Sequence, residues 1–151
     1  MVSKRKGIRR HESLKPLSRH HMIGLHLALK LKRAGTEKSK LSLIDIVQEI
    51  KDFWLPDGQA HFREEEEILL PGYAEYADID HPEIIAMLLE HVKIRSRINR
   101  LIEREEDDVT EMRQLGELLE KHIRREERII FPMIERALPE NRLEELAPYL
   151  H

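Results

Sequence analysis

The sequence predicts an all-α fold: an up-down-up-down four-helix bundle closed by a short C-terminal helix. Three observations predict it. Apolar residues recur at three- and four-residue intervals in four long segments joined by short polar links, which is the period of an amphipathic helix. No segment alternates with the period of two that a half-buried strand needs. One pattern is also written twice, HFREEEEILLP from His61 to Pro71 and HIRREERIIFP from His122 to Pro132, with His-to-Glu spacing of four and His-to-Pro spacing of ten in both copies.

The elements follow in order. Residues 1–12 form a basic N-terminal arm, and a single domain covers residues 13–151. The first helix runs from Leu14 to Ala34, with Leu17, Gly24, Leu27, Ala28 and Leu31 on one face. Ser13 can cap it, Pro16 suits its first turn, and Gly35 ends it. Ser42 caps a second helix through Leu43, Ile46, Val47, Ile50, Phe53 and Trp54. Pro56-Asp57-Gly58 predicts a kink or short break there, with helix resuming from about Gln59 to Leu70 and stopped by Pro71-Gly72. Asp80 with Glu83 makes a capping-box-like start around Pro82 for a third helix reaching about Arg104, with Ile84, Met87, Leu88, His91, Ile98 and Leu101 inward. The run EREEDD is solvated charge. Thr110 caps a fourth helix carrying Leu115, Leu118, Leu119, His122, Ile129 and Met133 inward, and Pro139 ends it. Asn141 to Leu150 reads as the closing helix.

Composition excludes several classes of function. Lys plus Arg total 26 against 29 Asp plus Glu, a net charge of −3, so there is no basic field for nucleic acid. The absence of cysteine excludes disulfides, thiolate zinc sites, iron–sulfur clusters and thiol catalysis. The basic start MVSKRKGIRR lacks the apolar stretch of a secretory signal, and no apolar run is long enough to span a bilayer. A cytoplasmic protein without membrane or nucleic-acid partners is the expectation; the sequence does not identify a protein partner.

The repeated segments carry the chemistry. On a helix, residues four apart share a face with Cβ atoms about 5–6 Å apart. His61 with Glu65, and His122 with Glu126, can therefore each present an imidazole and a carboxylate to one point. The other helices add His20 and His21 on the first and His91 on the third. Burying so many titratable groups without a cation would cost several kcal/mol. A metal site follows, holding two metals or two halves of one site. Only Glu65 is in phase with His61; Glu66 lies about 100° round the helix and can support from behind. The same logic selects Glu126 over Glu127. Phe62, Ile68, Leu69, Leu70, Ile129, Ile130 and Phe131 read as core that also keeps water away. His11, His26 and His81 lie off this face or near termini and read as surface or capping residues.

These segments, together with Leu89-Glu90-His91 and Pro16-Leu17-Ser18-Arg19-His20-His21, resemble the hemerythrin-like, or HHE cation-binding, domain over about residues 11 to 137. The resemblance implies a four-helix bundle around an oxo- or hydroxo-bridged di-iron centre, with His residues as terminal ligands and two carboxylates bridging. Carried over by position, the metal ligands are His21, His61, Glu65, His91, His122 and Glu126. By helical angle both His20 and His21 flank the Leu17–Gly24–Ala28 stripe. The family pattern places the ligand at His21 and puts His20 where relatives usually carry an acid. Oxygen-carrying members have a fifth His four residues from the third-helix one, but here those positions are Met87 and Arg95. One metal then lacks a ligand unless His20, Glu64 or Glu90 supplies it, and an open position admits water, dioxygen or another small ligand.

His with carboxylate suits iron, zinc or manganese, and the resemblance selects iron. The residues three before His61, His91 and His122 are Gly58, Leu88 and Leu119, so the Glu-x-x-His signature of ferritin-like oxidases is absent. No HExxH zinc motif, serine-hydrolase motif or phosphate loop occurs. The functional expectation is a binding or sensing protein whose di-iron centre responds to O2, NO, iron or redox state. Two alternatives are an enzyme reducing peroxide or NO, or repairing iron centres, and a zinc- or iron-stabilised module that binds a partner protein.

Overall fold

The computed structural model describes residues 9–104 and 108–151; residues 1–8 of the basic arm and residues 105–107 of the charged run lie outside them. Among the described residues all regular structure is helical. A 3₁₀ turn at Glu12–Leu14 leads into α1 (Lys15–Lys32). The second helical rod, α2, spans residues 43–74, and α3 spans Pro82–Arg104. The fourth rod, α4, spans residues 109–137, and α5 (Glu140–Leu146) runs into a 3₁₀ turn at Ala147–Tyr149. No described helix is long and apolar enough to cross a membrane.

The proline-containing stretches behave differently from the expectation. Neither Pro56 nor Pro71-Gly72 breaks α2. The rod passes through two wide π-turns, Trp54–Gly58 and Glu65–Leu69, and continues as helix to Ala74. A third π-turn, Glu126–Ile130, precedes Pro132 in α4. A proline inside an α-helix clashes with the carbonyl four residues back and leaves it without a donor. The wide turns shift the pairing to five residues back, so that Leu70 N–H donates to Glu65 O and Phe131 N–H donates to Glu126 O. Pro71 and Pro132 then fall at the start of a fresh helical stretch, where a missing N–H does no harm.

The extra residue in each π-turn also rotates everything after it. In α4 this turns Ile129 outward, to 38% exposure, and leaves Met133 half-buried; Ile130, Phe131 and Ile134 take the inner positions instead. Leu88 and Leu118 are likewise only half-buried, while Ile94 and Ile123 are in the core.

Three helix starts differ from the expected caps. Asp108, not Thr110, caps α4, its Oδ1 accepting Glu111 N–H at 3.0 Å; a charged acceptor suits the positive helix end better than a hydroxyl. Ser13 does not cap α1, whose cap position, Leu14, has no side-chain hydrogen bond; His11 instead caps the 3₁₀ turn ahead of it, and His81 takes the role expected of Asp80. His11 Nδ1 accepts Ser13 N–H at 3.0 Å and His81 Nδ1 accepts Glu83 N–H at 3.1 Å. At the other end of α1, Gly35 adopts φ +71°, the left-handed conformation that closes a helix. At the other end of α4, Leu138 leaves the helix at ψ 136° because Pro139 follows it.

α1 packs along α4, α4 packs on α3, and α2 contacts both α1 and α3. α1 and α4 approach closely at Gly116 of α4, where a Cβ would sit 2.8 Å from Ala28 O of α1. Two apolar clusters fill the interior. One gathers Leu27, Leu31, Ile50, Ile98 and Leu119 with their neighbours; the other gathers Leu17, Leu69, Ile84, Phe131 and Leu146 with theirs. Along every long helix the gap between the two clusters is filled by buried polar residues: His21, His61 with Glu65, His91, and His122 with Glu126. Arg10, from the arm, is tied to this bundle. Its guanidinium donates to Glu135 Oε1 (2.8 Å) and Glu127 O (2.6 Å) and lies 5.2 Å over the Phe131 ring.

Candidate metal centre

The six residues expected to meet do meet. His21, His61, His91, His122, Glu65 and Glu126 are each at most 5% exposed, so they sit in a layer without bulk water. All four imidazoles turn Nε2 inward. His21 Nε2 is 2.8 Å from Glu126 Oε1, and His61 Nε2 is 2.9 Å from Glu65 Oε2 and 3.1 Å from His21 Nε2. On the other side, His91 Nε2 is 3.1 Å from both Glu65 Oε1 and Glu126 Oε2, and His122 Nε2 is 2.9 Å from Glu126 Oε2. The cluster therefore divides into two overlapping groups able to hold a cation: His21, His61, Glu65 and Glu126, and Glu65, His91, His122 and Glu126. Both carboxylates belong to both groups, one oxygen facing each. The π-turns begin at these two carboxylates, the usual setting of a π-turn at a functional position.

The outward Nδ1 atoms are also engaged. His21 Nδ1 meets Glu127 Oε2 at 2.6 Å, His91 Nδ1 meets Glu66 Oε2 at 2.6 Å, and His122 Nδ1 meets Glu90 Oε1 at 3.0 Å. His61 Nδ1 meets the Nδ1 of His20 at 3.1 Å. Rings flank the cluster: Phe62 stacks on His91 with centroids 3.9 Å apart, and Phe131 stacks on His21 at 5.3 Å. These contacts fix each ring's tilt and tautomer and exclude water.

The electrostatics call for a cation. Burial alone would suppress protonation of the four imidazoles, but carboxylate charge and hydrogen bonds overcome it. His61 is pushed up to about 10, by Glu65 and Glu126, and His91 to about 11, by Glu126, Glu65 and Glu66; His21 and His122 are also raised. Glu126, despite complete burial, is held well below the usual carboxylate range by His122, His21 and His61. Positive charge is thus favoured on all four imidazoles, which is what a bound cation would also supply. Two buried atoms that face the cluster, Glu65 Oε1 and His122 Nε2, lie 3.1 Å from His91 Nε2 and 2.9 Å from Glu126 Oε2 but make no well-directed hydrogen bond there. Buried polar atoms are costly when poorly paired, and a metal ion is a partner this donor set fits. Neutral imidazole with carboxylate is the set for iron, zinc or manganese.

A model of the hemerythrin HHE cation-binding domain matches residues 14–134. The chain belongs to this family. Comparison with curated proteins and with solved structures returned no match. As a hemerythrin-family domain, the chain has a buried His/Glu cluster compatible with cation binding.

None of the three side chains considered in place of the fifth His of oxygen-carrying members reaches the inward face of the cluster. His20 faces the back of His61. Glu90 is behind His122, held by Arg125, whose Nε donates to Glu90 Oε1 at 3.1 Å. Glu64 accepts His151 N–H at 2.6 Å, away from the cluster. Met87 is fully buried in the neighbouring apolar cluster, and Arg95 lies outside, donating to Glu66 at 2.9 Å. Each group thus has two imidazoles, not three and two.

Glu66 supports from behind as its phase predicts, although its partner is His91 on another helix. Glu127 does the same for His21. The repeated Glu-Glu pair was the signal for both. The arginines that anchor these carboxylates, Arg10, Arg95 and Arg125, were missed. Burial would raise Glu66, Glu90 and Glu127, but hydrogen bonds from His91, His122 and His21, with Arg95, Arg125 and Arg10 beside them, hold all three low. His20, half-buried and next to two other imidazoles, is pushed down to about 4 and is neutral at pH 7.

Proposed function

We propose that this hemerythrin-family chain is a non-haem di-iron protein that binds or senses O2, NO or the iron and redox state of the cytoplasm. In this reading His21 and His61 would hold one ion and His91 and His122 the other, with Glu65 and Glu126 able to serve both. The observation that carries it is that two four-ligand groups share both buried carboxylates. Two separate mononuclear sites would not need to share ligands. The long helices run up-down-up-down around this centre, a topology supported by the short connection over residues 75–81. A reducing compartment accords with the absence of cysteine.

When bound, iron supplies a redox-active Lewis acid with room for a small ligand. The protein's own residues do the rest. Four imidazoles whose outer nitrogens are pinned hold their rings in one orientation. Phe62 and Phe131 keep bulk water off His91 and His21. With four candidate ligands in each group and no fifth side chain among the described residues reaching in, an ion held there would have room for a diatomic molecule.

The test loads the protein with Fe(II) under nitrogen and follows its visible spectrum on adding NO or O2 and again after reduction. A reversible change supports the proposal; a colourless, unresponsive protein overturns it. Sustained consumption of hydrogen peroxide would replace the sensor reading with the enzymatic one.

A further inference from the structure

Three of the four inward-facing imidazoles are backed by the same device, a carboxylate held by an arginine. Arg10 Nη2 lies 3.3 Å from Glu127 Oε1, behind His21. Arg95 Nη1 lies 2.9 Å from Glu66 Oε2, behind His91. Arg125 Nε lies 3.1 Å from Glu90 Oε1, behind His122, and the same guanidinium also reaches Glu83. His61 is the exception. Its Nδ1 meets an imidazole nitrogen of His20 at 3.1 Å, and His20 is itself fixed by stacking on Phe53, with ring centroids 5.0 Å apart and planes 15° from parallel.

The difference has a direction. A carboxylate on the outer N–H of a ligating imidazole forms a charge-assisted bond and makes the inner nitrogen a better donor to a metal. A neutral ring nitrogen orients its partner but adds no negative charge. The group containing His91 and His122 has this support behind both rings; the group containing His21 and His61 has it behind one. Building on the di-iron reading above, we infer that the two metal positions are unequal, and that His20 makes the His21/His61 position the weaker and more readily emptied of the two. His20 is a positioning residue in this scheme, since it acts through His61.

Zinc is a suitable probe because it does not change oxidation state. The protein is loaded with Zn(II), titrated with EDTA, and read two ways: zinc per chain by mass spectrometry, and the imidazole NMR signals of His21 and His61 against those of His91 and His122. Loss of a supporting carboxylate typically weakens metal binding about 10- to 100-fold. The expected result is two release steps separated by about tenfold or more in EDTA, with His21 and His61 losing their metal-bound signals first. Repulsion between adjacent cations would also produce two steps, so the identity of the first ion lost is what decides. His20→Glu, which puts a carboxylate behind His61, should narrow the gap. Glu66→Gln, which removes one behind His91, should narrow it from the other side. Neither effect is expected of a residue that merely fills space.

Simultaneous loss of both ions, first loss from His91 and His122, or an unchanged gap in a folded His20→Glu protein would each overturn the inference. A protein that takes up no zinc, and no iron either, would refute the metal-centre reading itself, an outcome distinct from two equal sites.

Discussion

Glu126→Gln tests the shared-carboxylate geometry at its centre. Glu126 is fully buried and lies 2.8 Å from His21, 3.1 Å from His91 and 2.9 Å from His122. Gln keeps the shape, removes the charge and leaves one acceptor where there were two. Without metal, the imidazoles that Glu126 holds protonated lose a counter-charge, and removing one partner of a buried ion network costs about 3–5 kcal/mol. That is a large part of a typical stability of about 5–15 kcal/mol, so the variant should fold but melt lower. At about 2–4 °C per kcal/mol for a chain of this size, Tm should fall by about 6–20 °C. With metal, both groups lose a ligand at once, so binding at both positions should weaken. Calorimetry on the metal-free protein and metal content after chelator challenge measure the two effects. A Gln variant with unaltered Tm and the metal content and chelator resistance of the parent would refute the shared role.

Four other outcomes are expected. His61→Ala and His122→Ala should each lose metal and destabilise the bundle, seen as lower metal per chain and a lower Tm; full metal content in either would remove it from the site. His20→Ala should be milder than His21→Ala in metal content, because His20 touches only the back of His61. In the metal-free protein, His61 and His91, raised to about 10 and about 11, contribute stability that is fully present below their unfolded value of about 6.5 and is lost as pH rises through the folded values. The urea midpoint of metal-free protein should therefore fall between about pH 7 and pH 10 and fall less once metal replaces those protons. Gly116→Ala should cost about 1–3 kcal/mol in chemical unfolding, since its new methyl would press on the α1 backbone at Ala28.

The helices were legible because burial imposes a period: Leu17, Gly24 and Ala28, or Leu115, Leu119 and His122, lie on one face wherever the rest of the chain goes. The cluster was legible for the same reason, since His and Glu four apart must point together. Two kinds of feature were not. A π-turn inserts one residue without changing composition, so the phase of Ile129 and Met133 was read from the wrong side of the insertion. The prolines ten residues after each His were the visible trace of those turns, but they read equally well as helix breakers. The second kind is long-range pairing. Nothing near Arg10 says that it will meet Glu127 and Glu135 at the far end of the chain, and Glu90, visible in Leu-Glu-His, was considered for the metal side of an imidazole when it lies behind one. His20 and His21 could not be separated by angle because both flank the same stripe; the contacts on the two sides of His61 separate them.

The most direct test of the central claim is anomalous diffraction at the iron edge on crystals of iron-loaded protein, with iron per chain counted on the same preparation. Two irons per chain, as two peaks on opposite sides of the Glu65–Glu126 pair, are predicted, one beside His21 and His61 and the other beside His91 and His122. A single peak, or peaks that do not share both carboxylates, would contradict the di-iron account.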